Sequence, residues 1–393
     1  MISSGKLSAS EHGNGGGGPI VLGTGGDDSV TEEDEKRFLR VIDTELTEEQ
    51  KERIVSPEVF FRRQQNVMAL HWHPEFVPMS LIRQRIDQMF PAKKVELIIP
   101  TQHNELLSYD GMYSGVEIDC FSKGFNQKVQ LLLHLTRERA ESATVLNSMA
   151  TYTFRYRSSQ LFELIHSFVG EDMGRLNDAA REVGASSQIV RFVQGTVRKI
   201  HELLERYFDE MPPIMIKNKL LRNYFDEMRA EVSDGTIDRA QALISAVKKI
   251  VKQNFPLTFF YRTEEVIEEA RAQGAGIIIP HPEQFWPILL ADYDVDGIEI
   301  WNPQSRKYTE FLISVINQQN SNRNKNSRRL LVFMGDDTHM GEKVKDPAVW
   351  NEEKAAREIG VQPGWQDLFI RKKLIKAGME SGRVMQEYRQ RLG

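Results

Sequence analysis

The chain has a single cysteine, Cys120, among its 393 residues. One thiol excludes an internal disulfide framework and fits a reducing compartment, so a cytoplasmic location is expected. Flanked by Asp119 in an apolar stretch, it reads as an inert core thiol rather than a nucleophile. No run of about 18 apolar residues occurs, which argues against a helix spanning a membrane. Residues 1–30 lack the apolar stretch of a secretory signal. They are glycine-rich and small, and read as a flexible, disordered tail. Positive charge is also short: 51 Lys and Arg face 56 Asp and Glu, a formal net charge of -5. That excludes a globally basic nucleic-acid binder but leaves room for a local basic strip.

What is present is a change of pattern along the chain. Residues 31–53 are acidic and helical in character, and Thr47-Glu-Glu-Gln50 has the form of a capping box. Short apolar runs follow, each ending in polar residues. Asn66-Val-Met-Ala-Leu70 leads into His71-Trp72-His73, and Val95-Glu-Leu-Ile-Ile99 into Pro100-Thr-Gln-His103. Gly115-Val-Glu117-Ile-Asp119 comes next, then Val129-Gln-Leu-Leu-Leu133 ending at His134. Runs this short, bounded by turn residues, predict buried strands. From about Arg137 to Asn254 the spacing is helical, broken at Pro212-Pro213 and at Ser233-Asp-Gly-Thr. Strands then resume: Gly276-Ile-Ile-Ile279 before His281, Asp296-Gly-Ile-Glu-Ile300 before Asn302, and Leu330-Leu-Val-Phe-Met334 before Asp337-Thr-His339. A helical tail, Ala355 to Arg391, closes the chain. An apolar strand with a functional residue at its C-terminal end is the unit of an α/β barrel. The expected organisation is therefore the tail 1–30, a first barrel part with an N-terminal helix at 31–135, a helical insertion at 136–256, and a second barrel part with C-terminal helices at 257–393.

The chemistry lies at those strand ends. His71 and His73 are two apart, so a strand points both imidazoles to one face. Asp337-Thr-His339 repeats the spacing with a carboxylate in place of one imidazole. Mixed His and Asp ligation suits Zn, Mn or Fe better than Ca or Mg. His281 lies between two prolines that fix the backbone around it. Glu117 sits inside an apolar strand, where a carboxylate is costly unless paired or bound to a cation. Six of the nine histidines fall at strand ends, and a cluster of ligand-type residues is a stronger sign than any one of them. A multinuclear site of His71, His73, His103, Glu117, His134, His281, Asp337 and His339 is expected. It would activate a water and clamp a phosphoryl group, with Glu117, His281, Asp337 and His339 carrying the catalysis.

Taken in order, His71-x-His73, Thr101-x-His103, Gly115-Val-Glu117-Ile, His134, Pro280-His281-Pro282, Gly297-Ile-Glu299-Ile-x-Asn302 and Gly335-x-Asp337-x-His339 resemble the polymerase and histidinol phosphatase (PHP) superfamily. The resemblance covers roughly residues 65–135 and 275–342. It implies an α/β fold, a distorted seven-stranded β/α (TIM-like) barrel with a helical insertion, holding two or three Zn, Mn or Fe ions and cleaving phosphoesters. By motif, His71, His73, Glu117 and Asp337 would hold one ion. Glu117 would share a second with His134 and His281, and His103 and His339 would belong to a third. Two positions depart from the pattern: Pro74-Glu75-Phe-Val-Pro-Met79 replaces a Ser-Asp-Gly turn, and Gln102 replaces an aspartate. A two-ion site is the alternative.

Phosphate contacts are expected from Arg306 and Lys307 and from Arg328 and Arg329, which end the run Arg323-Asn-Lys-Asn-Ser-Arg328-Arg329. A phosphorylated small molecule or nucleotide is the favoured substrate. The competing readings are a nuclease on the same fold, an amidohydrolase, and a non-catalytic protein whose metals stabilise it while the insertion binds a protein partner.

Overall fold

A computed structural model describes residues 29–323 and 328–393. The tail reading and residues 324–327 of the basic run lie outside the described residues. No helix among those described is long and apolar enough to cross a membrane. The chain divides into two compact units.

One unit is helical and comprises residues 29–42, Phe162–Met211 and Asn218–Gln253. It takes in the helix Glu32–Ile42 from ahead of the strands. In the helix Ser187–Tyr207 the residues Val193, Val197, Ile200, Leu203 and Leu204 are buried, a spacing that gives one apolar stripe. Ser186 caps its first turn by accepting from the Ile189 backbone N–H. The carboxylate of Asp34 takes Lys199 Nζ at 2.9 Å and Tyr224 OH at 3.1 Å, so this buried charge is paired.

The other unit carries the strands: β1 Asn66–Ala69, β2 Trp72–His73, β3 Val95–Ile98, β4 Leu107–Ser108, β5 Tyr113–Ser122, β6 Gln127–Thr136, β7 Gly276–Ile279, β8 Gly297–Trp301, β9 Leu331–Met334 and β10 Thr338–His339. The predicted capping box is formed, with Thr47 and Gln50 bonding reciprocally ahead of the helix Glu48–Val55. A seven-stranded barrel is not what the strands build. They form one six-stranded mixed sheet in the order β4-β5-β6-β7-β8-β9, and two small parallel sheets, β1-β3 and β2-β10. No closed barrel is found among the described residues.

Two features account for the difference. β5 and β6 are ten residues each and pair antiparallel along their whole length, a hairpin where a β/α barrel needs a parallel crossover. The edge of β1 turned away from β3 is also taken by side chains rather than by a strand. Gln362 Nε2 donates to Met68 O at 3.0 Å, and His134 Nε2 to Leu70 O at 3.1 Å. Backbone acceptors buried there must be satisfied, and these two groups satisfy them without a ladder.

β7, β8 and β9 run parallel and are buried at every position. Their near-continuous apolar sequences reflect cover on both faces. The helix Ser381–Leu392 supplies part of it through Val384, Met385, Tyr388 and Leu392. Parallel strands end on one side, so the segments after β7, β8 and β9 emerge together.

Candidate metal centre

β2 and β10 pair in parallel with His73 opposite His339. Trp72, the residue between the two histidines, turns the other way and packs edge-on against Tyr109. The period of two thus sends His71 and His73 to one side, with ring centroids 5.5 Å apart. His73 is stacked between His103 at 4.3 Å and His339 at 4.2 Å. His103 arrives through a parallel bridge to Glu117, and its Nδ1 lies 2.6 Å from Glu117 Oε2. Asp337 Oδ1 stands 3.6 Å from His71 Nε2, 3.5 Å from His73 Nε2 and 3.4 Å from His339 Nε2. His281 Nε2 is 3.2 Å from Glu117 Oε1.

Three overlapping groups result: His73 with His103 and His339, His71 with His73 and Asp337, and His71 with Glu117 and His281. Within each, one ligand atom per residue lies within 4.8 Å of the others. Seven of the eight residues expected as ligands are therefore brought together. His71 Nε2 and His73 Nε2 both face Asp337 Oδ1, an arrangement that fits a cation. His71 Nε2, both ring nitrogens of His73 and His281 Nδ1 are buried with no hydrogen-bond partner. Such atoms are costly when left bare.

Charge follows the same geometry. Burial alone would raise the carboxyls of Glu117 and Asp337, but the surrounding imidazoles outweigh it and hold both well below the usual carboxylate range. Burial, with His339 and His103 beside it, pushes His73 well below an ordinary histidine. For His71 burial is overcome by Glu299, then Asp337 and Glu117, which raise the imidazolium to about 10. A metal needs the bare nitrogen, so proton and metal compete there. Metal affinity should accordingly climb between pH 6 and 8.5, by up to about tenfold per unit for each proton displaced. Chelator competition across that range measures it, and a flat affinity would count against a ligand role for His71.

The backbone is constrained at the same place. Five described non-glycine residues have positive φ: Glu75 (53°), Asn104 (55°), Asn126 (49°), His281 (25°) and Asp337 (47°). His281 and Asp337 are in the ligand groups, Asn104 follows His103, and Glu75 lies 3.9 Å from His339 Nδ1. Strain of this kind persists where the surroundings hold it and clusters at functional sites.

His134 stands apart from the three groups. Register explains it: Leu132 is the residue paired with Glu117, while His134 pairs with Gly115, two positions along β5. Its Nδ1 meets Tyr388 OH at 2.7 Å and its Nε2 meets Leu70 O, so neither nitrogen is open to an ion. Burial pushes its pKa down to about 3. With the folded value below the ordinary 6.5, the unfolded chain binds the extra proton. The stability His134 contributes is full above about pH 6.5 and is lost as pH falls towards 3. His134→Gln should flatten the drop in melting temperature between pH 7 and 4. An unchanged drop would show that other groups govern it.

The basic residues are placed less uniformly. Arg328 and Arg329 precede β9, whereas Asp337 and His339 follow it, so the strand separates them from the centre. Arg329 pairs with Glu387 at 2.5 Å. Arg306 and Lys307 are exposed beyond β8, with Lys307 Nζ 4.9 Å from the Tyr308 ring centroid.

Sequence reasoning assigns no role to two residues that hold the ligands. Glu299 Oε2 is 2.7 Å from His71 Nδ1, and its other oxygen accepts from Asn302 Nδ2 at 2.8 Å. Its signal is present in the sequence: a glutamate inside an apolar strand, as at Glu117. Gly335 makes room for it, since a Cβ there would run into the Glu299 carboxylate. Arg357 Nη1 donates to Asp337 Oδ2 at 2.7 Å and to Asp337 O at 3.2 Å. An arginine twenty residues downstream, in no motif, carries no sequence signal. Glu75 falls too early after the first motif to match it, yet it reaches the centre through its left-handed backbone.

No family model matches the chain, and no curated protein matches it. A solved structure from Bifidobacterium adolescentis ATCC 15703, determined at 2.40 Å and provisionally described as a metal-dependent phosphoesterase, aligns with 80% of this chain and 98% of its own. The identity is 15% and the TM-score 0.39. At that distance the likeness assigns no activity to this chain.

Proposed function

We propose that the chain is a metal-dependent phosphoesterase of the PHP type, with two or three Zn, Mn or Fe ions held by His71, His73, His103, Glu117, His281, Asp337 and His339. The observation that carries this reading is the convergence of His71 Nε2 and His73 Nε2, both buried without a hydrogen-bond partner, on the carboxylates of Glu117 and Asp337. Imidazole nitrogens and a carboxylate oxygen facing one another are satisfied together by a cation. When bound, such ions lower the pKa of a water and neutralise phosphoryl oxygens.

The remaining work falls to the protein. Glu299 fixes the tautomer of His71, so that Nε2 is the nitrogen presented to the centre. Arg357 orients Asp337, and Glu117 is shared between His103 and His281. The side chains of His103 and His339 keep 29% and 25% of their exposure, while His71 and His73 keep almost none. The centre is therefore open on the His103 and His339 side, where a phosphorylated small molecule or nucleotide would enter. Catalytic roles for Glu117, His281, Asp337 and His339 are part of the proposal.

The test is hydrolysis of p-nitrophenyl phosphate and its bis-ester by chelated protein, then by protein reloaded with each of Zn, Mn and Fe. Activity lost with the metal and restored by one of them is expected. Protein that takes up metal but cleaves neither ester contradicts the reading.

A further inference from the structure

The helix Leu368–Lys376 of the strand-bearing unit buries little of itself. Leu374 joins the core of that unit, and Ile370 packs against it. The other seven residues are exposed. Leu368 and Phe369 each keep 77% of their exposure and Ile375 keeps 48%. Single exposed apolar side chains are ordinary, but a neighbouring pair left this bare, with a third close by, is not. Helical spacing sets Leu368, Lys372 and Ile375 in one row and Phe369, Lys372 and Lys376 in the next. The three apolar side chains therefore share the outward face with basic ones.

The charge on that face has one sign. The helix, Leu-Phe-Ile-Arg-Lys-Lys-Leu-Ile-Lys, carries four cations and no acid. Asp367, just ahead of it, is engaged as the cap and accepts from the Phe369 and Ile370 backbone N–H groups at 2.9 and 3.0 Å. Lys373 pairs with Glu310. Arg371, Lys372 and Lys376 have no ion partner among the described residues. A second copy docking here would set these cations against their own kind. The occupant must be negative, and it must take up apolar side chains that stand clear of the protein surface.

We propose that the helix Leu368–Lys376 docks the protein on an anionic lipid surface. Leu368, Phe369 and Ile375 enter the boundary between headgroups and acyl chains, while Arg371, Lys372 and Lys376 meet the lipid phosphates. Apolar insertion and electrostatic attraction act together in a helix that lies on a bilayer without crossing it. Each cation near such a surface strengthens partitioning by about fivefold. The chain as a whole has a formal net charge of -5, but acids farther from the bilayer than about 8 Å are largely screened at physiological salt. The docking uses neither the metal centre nor the phosphoester reading.

The experiment is co-sedimentation of the full chain with vesicles of phosphatidylcholine alone and of phosphatidylcholine mixed with phosphatidylglycerol. The wild type should bind the mixed vesicles, more weakly as salt rises, and leave the neutral ones unbound. Leu368→Ser combined with Phe369→Ser should weaken binding at least about tenfold, since affinity scales with the apolar area inserted. Lys372→Glu combined with Lys376→Glu should do the same through charge. Both pairs are exposed, so melting temperature and metal content should hold. A wild type that ignores the mixed vesicles overturns the proposal, as does undiminished binding in either double variant. Binding lost with the charges but kept without Leu368 and Phe369 is plain electrostatic adsorption and overturns it too. So does a chain that dimerises through these residues in gel filtration, or one that captures an acidic protein or a single-stranded oligonucleotide with them and leaves vesicles alone.

Discussion

Asp337→Ala is expected to reduce phosphoester hydrolysis by about a thousandfold or more, because the several kcal/mol supplied by a bound metal disappear with its ligand. One oxygen of Asp337 faces the Nε2 atoms of His71, His73 and His339. Without that charge, His339 loses its nearest carboxylate, and the Nε2 atoms of His71 and His73 keep only Glu117, at 3.9 and 3.6 Å. His281→Ala should act in the same direction, since His281 Nδ1 is one of the bare buried atoms and its Nε2 holds Glu117. In both variants the helical unit should stay folded, as its core is separate. Steady-state rates with circular dichroism check both points, and full activity in either variant would remove that residue from the site.

The second large effect is expected at Glu299, which holds a ligand rather than an ion. Glu299→Gln should weaken metal binding by about 10–100-fold, the usual cost of losing a carboxylate behind a ligating histidine. The carboxylate can only accept from His71 Nδ1–H, which leaves Nε2 bare. A glutamine amide can turn its NH2 towards Nδ1 and favour the other tautomer. Gly335→Ala should reproduce part of the effect by pushing the carboxylate aside. Metal affinity by chelator competition distinguishes the outcomes. Wild-type affinity in Glu299→Gln would mean that the contact with His71 is packing alone.

The strands and the metal-type residues at their ends are legible in the sequence because both leave a local signature. Apolar runs of four or five residues leading into histidine, asparagine or aspartate correspond to β1, β3, β7, β8 and β9 within a residue or so. Closure of those strands into a barrel is not legible, since it depends on which group takes the outer edge of β1. That edge goes to Gln362 and His134, residues nearly 230 positions apart whose meeting no local pattern encodes. His134 shows the same limit at the site. It follows an apolar strand as His103 does, but the pairing register of β5 and β6 sets it one pleat from Glu117. Arg357 is invisible for a related reason: it acts through the carboxylate of Asp337, which a distant segment supplies.

The central claim is that these seven residues hold metal, and the most direct test is element-resolved mass spectrometry on protein purified gently without chelator. About two or three equivalents of Zn, Mn or Fe per chain, as a hydrolytic cluster requires, is the predicted result, falling in Asp337→Ala. A wild-type chain that carries no transition metal, and takes up none when each ion is offered, would contradict the claim.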